Sequence, residues 1–91
     1  MMKQVTIFYL EGCPYCAAAR RSLDRLRSER PELLEAEIRW IEERRQPEVA
    51  ERYDYYYVPA VFSGDRKLWE ARPGEGEEEI FAHLADALER A

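Results

Sequence analysis

The chain has 91 residues and a formal net charge of -5, with 46% hydrophobic and 36% charged residues. That length holds one compact core, so a single domain spanning residues 1–91 is expected, and the balance of apolar and charged residues is that of a globular chain. The acidic balance excludes a protein held on nucleic acid by clustered Lys and Arg, no apolar run approaches the roughly 20 residues that cross a bilayer, and no secretion signal opens the chain; a cytoplasmic location follows as the expectation.

Residues 3–10 include Val5-Thr6-Ile7-Phe8-Tyr9-Leu10, a β-branched, aromatic and aliphatic run too short for a core helix, which predicts a strand buried on both faces. Glu11-Gly12 breaks the run, and Pro14 suits the first turn of a helix because its missing N–H would have had no partner there. The helix begins around Cys13 or Pro14. Cys16, Ala19, Leu23 and Leu26 share one face, and Pro31 closes the pattern. Arg20, Arg21, Arg25, Arg27 and Arg30, interleaved with Asp24 and Glu29, read as a solvated face with charge pairs three or four residues apart.

Leu34, Ala36, Ile38 and Trp40 alternate with Glu35, Glu37, Arg39 and Ile41, the period of a strand with one face on a core. Strand, helix and strand in that order make a right-handed parallel crossover. A short helix over residues 47–53 comes next, opened by Pro47, with Val49, Ala50 and Tyr53 facing inward. Residues 55–62 and 67–70, separated by the turn residues Ser63-Gly64-Asp65-Arg66, predict an antiparallel hairpin. Pro73-Gly74-Glu75-Gly76 leads to a last helix with an apolar stripe of Ile80, Phe81, Leu84, Ala87 and Leu88, and Glu77, Glu78 and Glu79 suit its positive N-terminal end. The predicted class is α/β, order βαβαββα, with a four-stranded mixed sheet flanked by helices.

The chemistry lies in Cys13 and Cys16. Two residues three apart on a helix lie roughly 5–6 Å apart at Cβ, and a disulfide tolerates Cα separations of about 4.4–6.8 Å, so the pair can open and close a bond with little backbone movement. Cys13 falls at the helix N-terminus, where unpaired N–H groups and the helix dipole favour a thiolate and hence a nucleophile. Cys16, one turn inside on the apolar face, has the protected setting of a resolving thiol. A structural zinc site needs four protein ligands, and two cysteines with the distant His83 do not supply them within one chain. Zinc half-sites nevertheless share the C-x-x-C spacing. A metal or iron–sulfur module, in which Cys13 of a dimer acts with external glutathione, is therefore the alternative from another class.

The strand, Gly12, Cys13-Pro14-Tyr15-Cys16 and the following helix together resemble the glutaredoxin and thioredoxin family, and the likeness spans nearly the whole chain. Cys-Pro-Tyr-Cys is typical of dithiol glutaredoxins, and the short opening strand leading straight into it is similar to theirs. Val58-Pro59 resembles the family's cis-proline site; the resemblance implies that Pro59 is cis, faces the cysteines, and lets the Val58 backbone pair with a bound peptide or glutathione. It also implies a thioredoxin-like fold and dithiol–disulfide exchange, with Gly12, Pro14 and Tyr15 shaping the motif and Tyr57, Val58 and Pro59 receiving substrate.

The chain departs from the glutaredoxin pattern at three places. Tyr9-Leu10-Glu11-Gly12 offers no cation for a glutathione carboxylate, Tyr57 stands where Thr is common, and residues 70–75 replace the Gly-Gly and acidic pattern that holds the γ-glutamyl end. Residues 53–59 are instead similar to the thioredoxin segment. The expected partners are disulfide-containing proteins, with either glutathione or a thioredoxin-reductase-type flavoprotein as reductant. No tightly bound cofactor is expected, glutathione being a co-substrate, and the chain is expected to act as a monomer. Trp40, Trp69, Tyr53 and Tyr55 read as packing residues, Tyr56 or Tyr57 as candidates for a substrate groove, and His83 as a boundary residue.

Overall fold

Val5, Ile7 and Phe8 are wholly buried on β1 (Lys3–Tyr9), because this strand is central in the sheet and helices cover both of its faces. The structure is a computed structural model and describes residues 3–91. β2 (Ala36–Glu42) runs parallel to β1, pairing Lys3 with Ala36 and Tyr9 with Glu42. β3 (Ala60–Ser63) runs antiparallel on the other side, and β4 (Arg66–Glu70) closes the order β2-β1-β3-β4. Among the described residues the α-helices are α1 (Pro14–Glu29), α2 (Pro47–Ala50) and α3 (Glu77–Arg90). The fold is α/β with a four-stranded mixed sheet flanked by helices.

Alternation along the strands divides the core in two. Val5, Ile7 and Val61 pack with Ala19, Leu23 and Leu26 of α1 and with Ile80 and Leu84 of α3. Phe8, Ala60, Phe62 and Ile41 form the second layer, with Val49, Ala50, Tyr53 and Tyr55 against it. Phe8 is its centre, stacked with Tyr55 at 5.0 Å and meeting Tyr53 at 4.7 Å and Phe62 at 5.8 Å between ring centroids.

Several local expectations change. Residues 31–34 form a 3-10 turn, so the second strand starts at Ala36 rather than Leu34. Ile41, read as facing away from the core, is buried in the second layer because α2 and the tyrosines cover that face too. The short helix stops at Ala50; Tyr53 still reaches Phe8 through the following turn. The hairpin strand starts at Ala60 instead of residue 55, because residues 53–59 form a loop held by side chains rather than by a ladder.

The arginine face of α1 also does more than pair along its own helix. Arg25–Glu29 and Arg27–Asp24 are local pairs, but Arg21 meets Glu77 at 2.8 Å, Arg25 meets Glu78 at 3.1 Å and Arg30 meets Glu89 at 2.6 Å, all across to α3. Glu77 and Glu78 are thus cross-helix partners as well as first-turn acids. These pairs are exposed, so they orient the helices while apolar burial supplies the stability. Leu26→Ala, at a wholly buried α1 position, is expected to lower the unfolding free energy by about 3 kcal/mol in denaturant titrations, and Arg21→Gln by far less. The reverse ranking would mean that ion pairs dominate.

Candidate active site

β1 ends beside the cysteines and the chain turns sharply into α1. Gly12 lies at φ +81, in the left-handed region that side chains disfavour, and the Cys13 N–H donates to Leu10 O at 3.3 Å to close the turn. Cys13 is the N-cap of α1, Pro14 is in the first turn, and the Cys16 N–H donates to Cys13 Sγ at 3.3 Å. A sulfur therefore occupies the capping position usually filled by a Ser, Thr, Asp or Asn oxygen.

The two free thiols have different surroundings. Cys13 is partly exposed, whereas Cys16 is 4% exposed. Burial, then the hydrogen-bonded Cys13 and the negative charges of Cys13 and Glu43, push the Cys16 thiol up to about 12. At neutral pH Cys16 holds its proton. A groove of about 410 Å³ opens at Cys13, lined by Tyr9, Leu10, Pro14 and Ala17 among others. A larger groove, about 540 Å³, lies between β4 and α3 and includes neither cysteine.

The loop before β3 comes to the same place. Val58–Pro59 is a cis peptide bond, and Cys13 Sγ lies 3.9 Å from the Val58 carbonyl oxygen. Tyr53 and Tyr55 anchor the loop in the core, with Tyr55 Oη donating to Glu43 at 2.9 Å; Tyr56 and Tyr57 are 92% and 50% exposed. Glu70 holds the loop from β4, its Oε2 accepting from the Tyr56 and Tyr57 amides at 2.8 Å each and its Oε1 from Lys67 Nζ at 2.7 Å. Tyr15, between the cysteines, accepts through its hydroxyl oxygen from the Gly74 N–H at 2.8 Å, linking the motif to the segment before α3.

The sequence model of the family described as Glutaredoxin matches residues 5–68, which contain both cysteines and the cis-proline loop. The chain belongs to the glutaredoxin family. Thiol–disulfide oxidoreduction is therefore its general class of chemistry. Among solved structures, one titled "Structure of a malarial protein" superposes with a TM-score of 0.62 at 12% identity, covering 97% of this chain and 99% of the other. Thioredoxin 1 from the thermophilic eubacterium Thermosipho africanus TCF52B superposes with a TM-score of 0.59 at 15% identity, covering 96% of each. Those similarities establish a thioredoxin-like fold. No curated protein matches the chain in sequence.

Within this glutaredoxin fold, Cys13, Cys16, Val58 and Pro59 come together, with Gly12, Pro14 and Tyr15 forming the turn and first helical residues. His83 does not join them: its Nε2 lies 3.2 Å from Glu75 Oε2 and its ring stacks on Trp69 at 5.6 Å. Among the described residues, no group of three or more His, Cys, Asp or Glu is placed to hold a metal ion. The sequence reading missed Glu70, whose contacts are to backbone amides 13 and 14 positions away and leave no trace in side-chain pattern. It also missed Glu42, 5% exposed at the end of β2, which accepts from the Glu11 N–H at 3.1 Å and the Arg44 N–H at 2.6 Å and so ties down the turn before Cys13.

The Glu11 amide, with help from Arg44, outweighs burial and holds the Glu42 carboxyl below the usual carboxylate range. A group depressed on folding stabilises the folded state at pH above its ordinary value, and that stability is lost as pH falls through the folded value. Glu42→Gln is expected to flatten the acid limb of stability against pH in denaturant titrations; an unchanged limb would rule Glu42 out as its source. For Glu70, burial opposes ionisation but Lys67 and the Tyr57 and Tyr56 amides overcome it, leaving the carboxyl below its usual range. Glu70→Ala should speed hydrogen exchange at the Tyr56 and Tyr57 amides severalfold, and Glu70→Gln, which keeps an acceptor, should restore part of the protection. Equal exchange in all three proteins would show that the loop is held by its tyrosines alone.

Proposed function

We propose that the chain is a dithiol–disulfide oxidoreductase in which Cys13 is the nucleophile and Cys16 the resolving thiol, acting on disulfides of proteins or on glutathione mixed disulfides. One observation carries this reading: Cys13 Sγ caps α1 and accepts the Cys16 amide at 3.3 Å, while Cys16 lies buried one turn below. A helix start stabilises negative charge on the capping sulfur, and the thiolate is the nucleophilic form.

The Cys13 thiolate attacks one sulfur of the substrate disulfide; a Cys13–substrate bond forms, the substrate S–S bond breaks, and the departing thiolate takes a proton. Forming this mixed disulfide removes the negative charge of Cys13, one of the causes that keep Cys16 protonated. Cys16 then loses its proton and attacks Cys13 Sγ. The second substrate thiol leaves, the Cys13–Cys16 disulfide forms, and two electrons have passed to the substrate. Glutathione or a flavoprotein reductase returns the two electrons to the pair, and the chain works as a monomer.

Val58, through its backbone, and Pro59 form the wall along which an extended substrate pairs in the manner of an added strand, with Tyr57 at its rim. The proximity of the Val58 carbonyl to Cys13 supports this role. The exposed tyrosines, and the Tyr57, Tyr9-Leu10-Glu11-Gly12 and residue 70–75 departures from the glutaredoxin pattern, favour protein disulfides within the substrate class.

Parallel assays coupled to glutathione with its reductase and to a thioredoxin reductase test both chemistry and donor, using wild type, Cys13→Ser and Cys16→Ser. Cys13→Ser is expected to be inactive in both, and Cys16→Ser to accumulate mixed disulfides with protein substrates, visible by mass spectrometry. Activity of Cys16→Ser on glutathione mixed disulfides would identify glutathione as donor. Alkylation of Cys13 no faster than that of a free thiol near neutral pH would overturn the nucleophile assignment.

A further inference from the structure

We infer that Arg20 forms an anion-binding subsite beside Cys13 and receives an acidic side chain flanking the disulfide of a polypeptide substrate. The inference rests on the disulfide-exchange reading and adds a substrate preference to it. Arg20 lines the same groove of about 410 Å³ as Cys13. Its guanidinium carbon lies 4.1 Å from the Trp40 ring centroid and 5.0 Å from that of Tyr9, two rings that meet edge to face at 83°. Aromatic faces hold a flat guanidinium in place and leave its charge and N–H edge intact, so the group is pre-organised to grip a carboxylate.

The charges around it leave that edge available. Arg21, Arg25, Arg27 and Arg30 each meet a carboxylate, whereas Arg20 has no carboxylate partner among the described residues. Asp24, one turn further along α1, is engaged by Arg27 at 3.2 Å. Glu11, the acid within the groove, is engaged by Arg45 at 2.6 Å. An exposed arginine with no acid of its own thus shares a groove with the thiol that meets the substrate.

Sheet order argues for a polypeptide occupant. Cys13 follows the inner strand β1; Trp40, beneath Arg20, is on the β2 side, and Val58 leads into β3 on the other side. A ligand that pairs with Val58, crosses Cys13 and reaches Arg20 must be extended. Tyr56 and Tyr57, exposed on the Val58 side, widen the contact such a chain would make.

Two disulfide-linked peptides that differ only in Asp or Asn beside the cysteine provide the test, with kcat/KM as readout. Wild type is expected to prefer the Asp peptide by about fivefold at low salt, with the ratio falling towards one at high salt. Arg20→Gln should bring the ratio close to one, and Arg20→Lys should keep part of it. Equal use of the two peptides by wild type would overturn the inference, as would an Arg20→Gln protein that loses activity on both in proportion, since that marks a packing role on Trp40 and Tyr9. Dependence on Arg20 for glutathione disulfide without any Asp preference would overturn the polypeptide assignment. A wild type that reduces neither peptide would instead overturn the disulfide-exchange reading itself.

Discussion

The hydrogen bond from the Cys16 amide to the Cys13 sulfur is the interaction on which the rest of the site depends. Every helix begins with amides that have no partner within it, and a capping side chain must satisfy some of them. Here that side chain is a thiol, so the start of α1 and the position of the Cys13 sulfur are physically one matter. Burial of Cys16 beneath it pushes the second thiol up, and the two positions of one motif lie in unlike surroundings within a single turn of helix.

The surrounding contacts keep that turn in place. Glu42 ties the Glu11 amide to the end of β2, Tyr15 binds the segment before α3, and Glu70 fixes the two amides that precede Val58. Each anchor comes from a different element: Glu42 and Glu70 bond backbone amides beside the motif and in the cis-proline loop, and Tyr15, within the motif, bonds the Gly74 amide. Two of the three use a carboxylate whose ionisation the contact itself favours, which makes the local geometry most secure near neutral pH and weaker in acid.

The fold was legible where periodicity is governed by burial. The apolar run of β1, the stripes of α1 and α3 and the inward set Val49, Ala50 and Tyr53 all follow from which faces must leave water, and the Cys13–Cys16 spacing next to Gly12 and Pro14 marked the turn into α1. Residues 53–59 were less legible. Their aromatic composition favours a strand, but the Tyr56 and Tyr57 amides bond to Glu70 across the chain, a choice that local propensity does not record. The inward position of Ile41 escaped for a related reason: alternation shows that a strand has two faces, not that both are covered. The Arg–Glu pairs between α1 and α3 depended on helix placement, and i, i+4 spacing saw only the local ones.

Placement of charge also separates attraction at a distance from recognition at contact. With a net charge of -5, the molecule as a whole repels acidic partners, and screening confines that repulsion to about 8–10 Å at ordinary ionic strength. A guanidinium held against Trp40 and Tyr9 acts inside that distance. It would add little to the rate of encounter but would orient a carboxylate once the substrate is already over Cys13. On the subsite inferred at Arg20, the acidic surface and the local cation make different demands on a partner: modest overall negative charge, and an acid placed close to the disulfide. Meeting the second without violating the first is easiest for a polypeptide, which can separate its net charge from the residue beside its cysteine, and hardest for a small thiol whose carboxylates make up most of its charge.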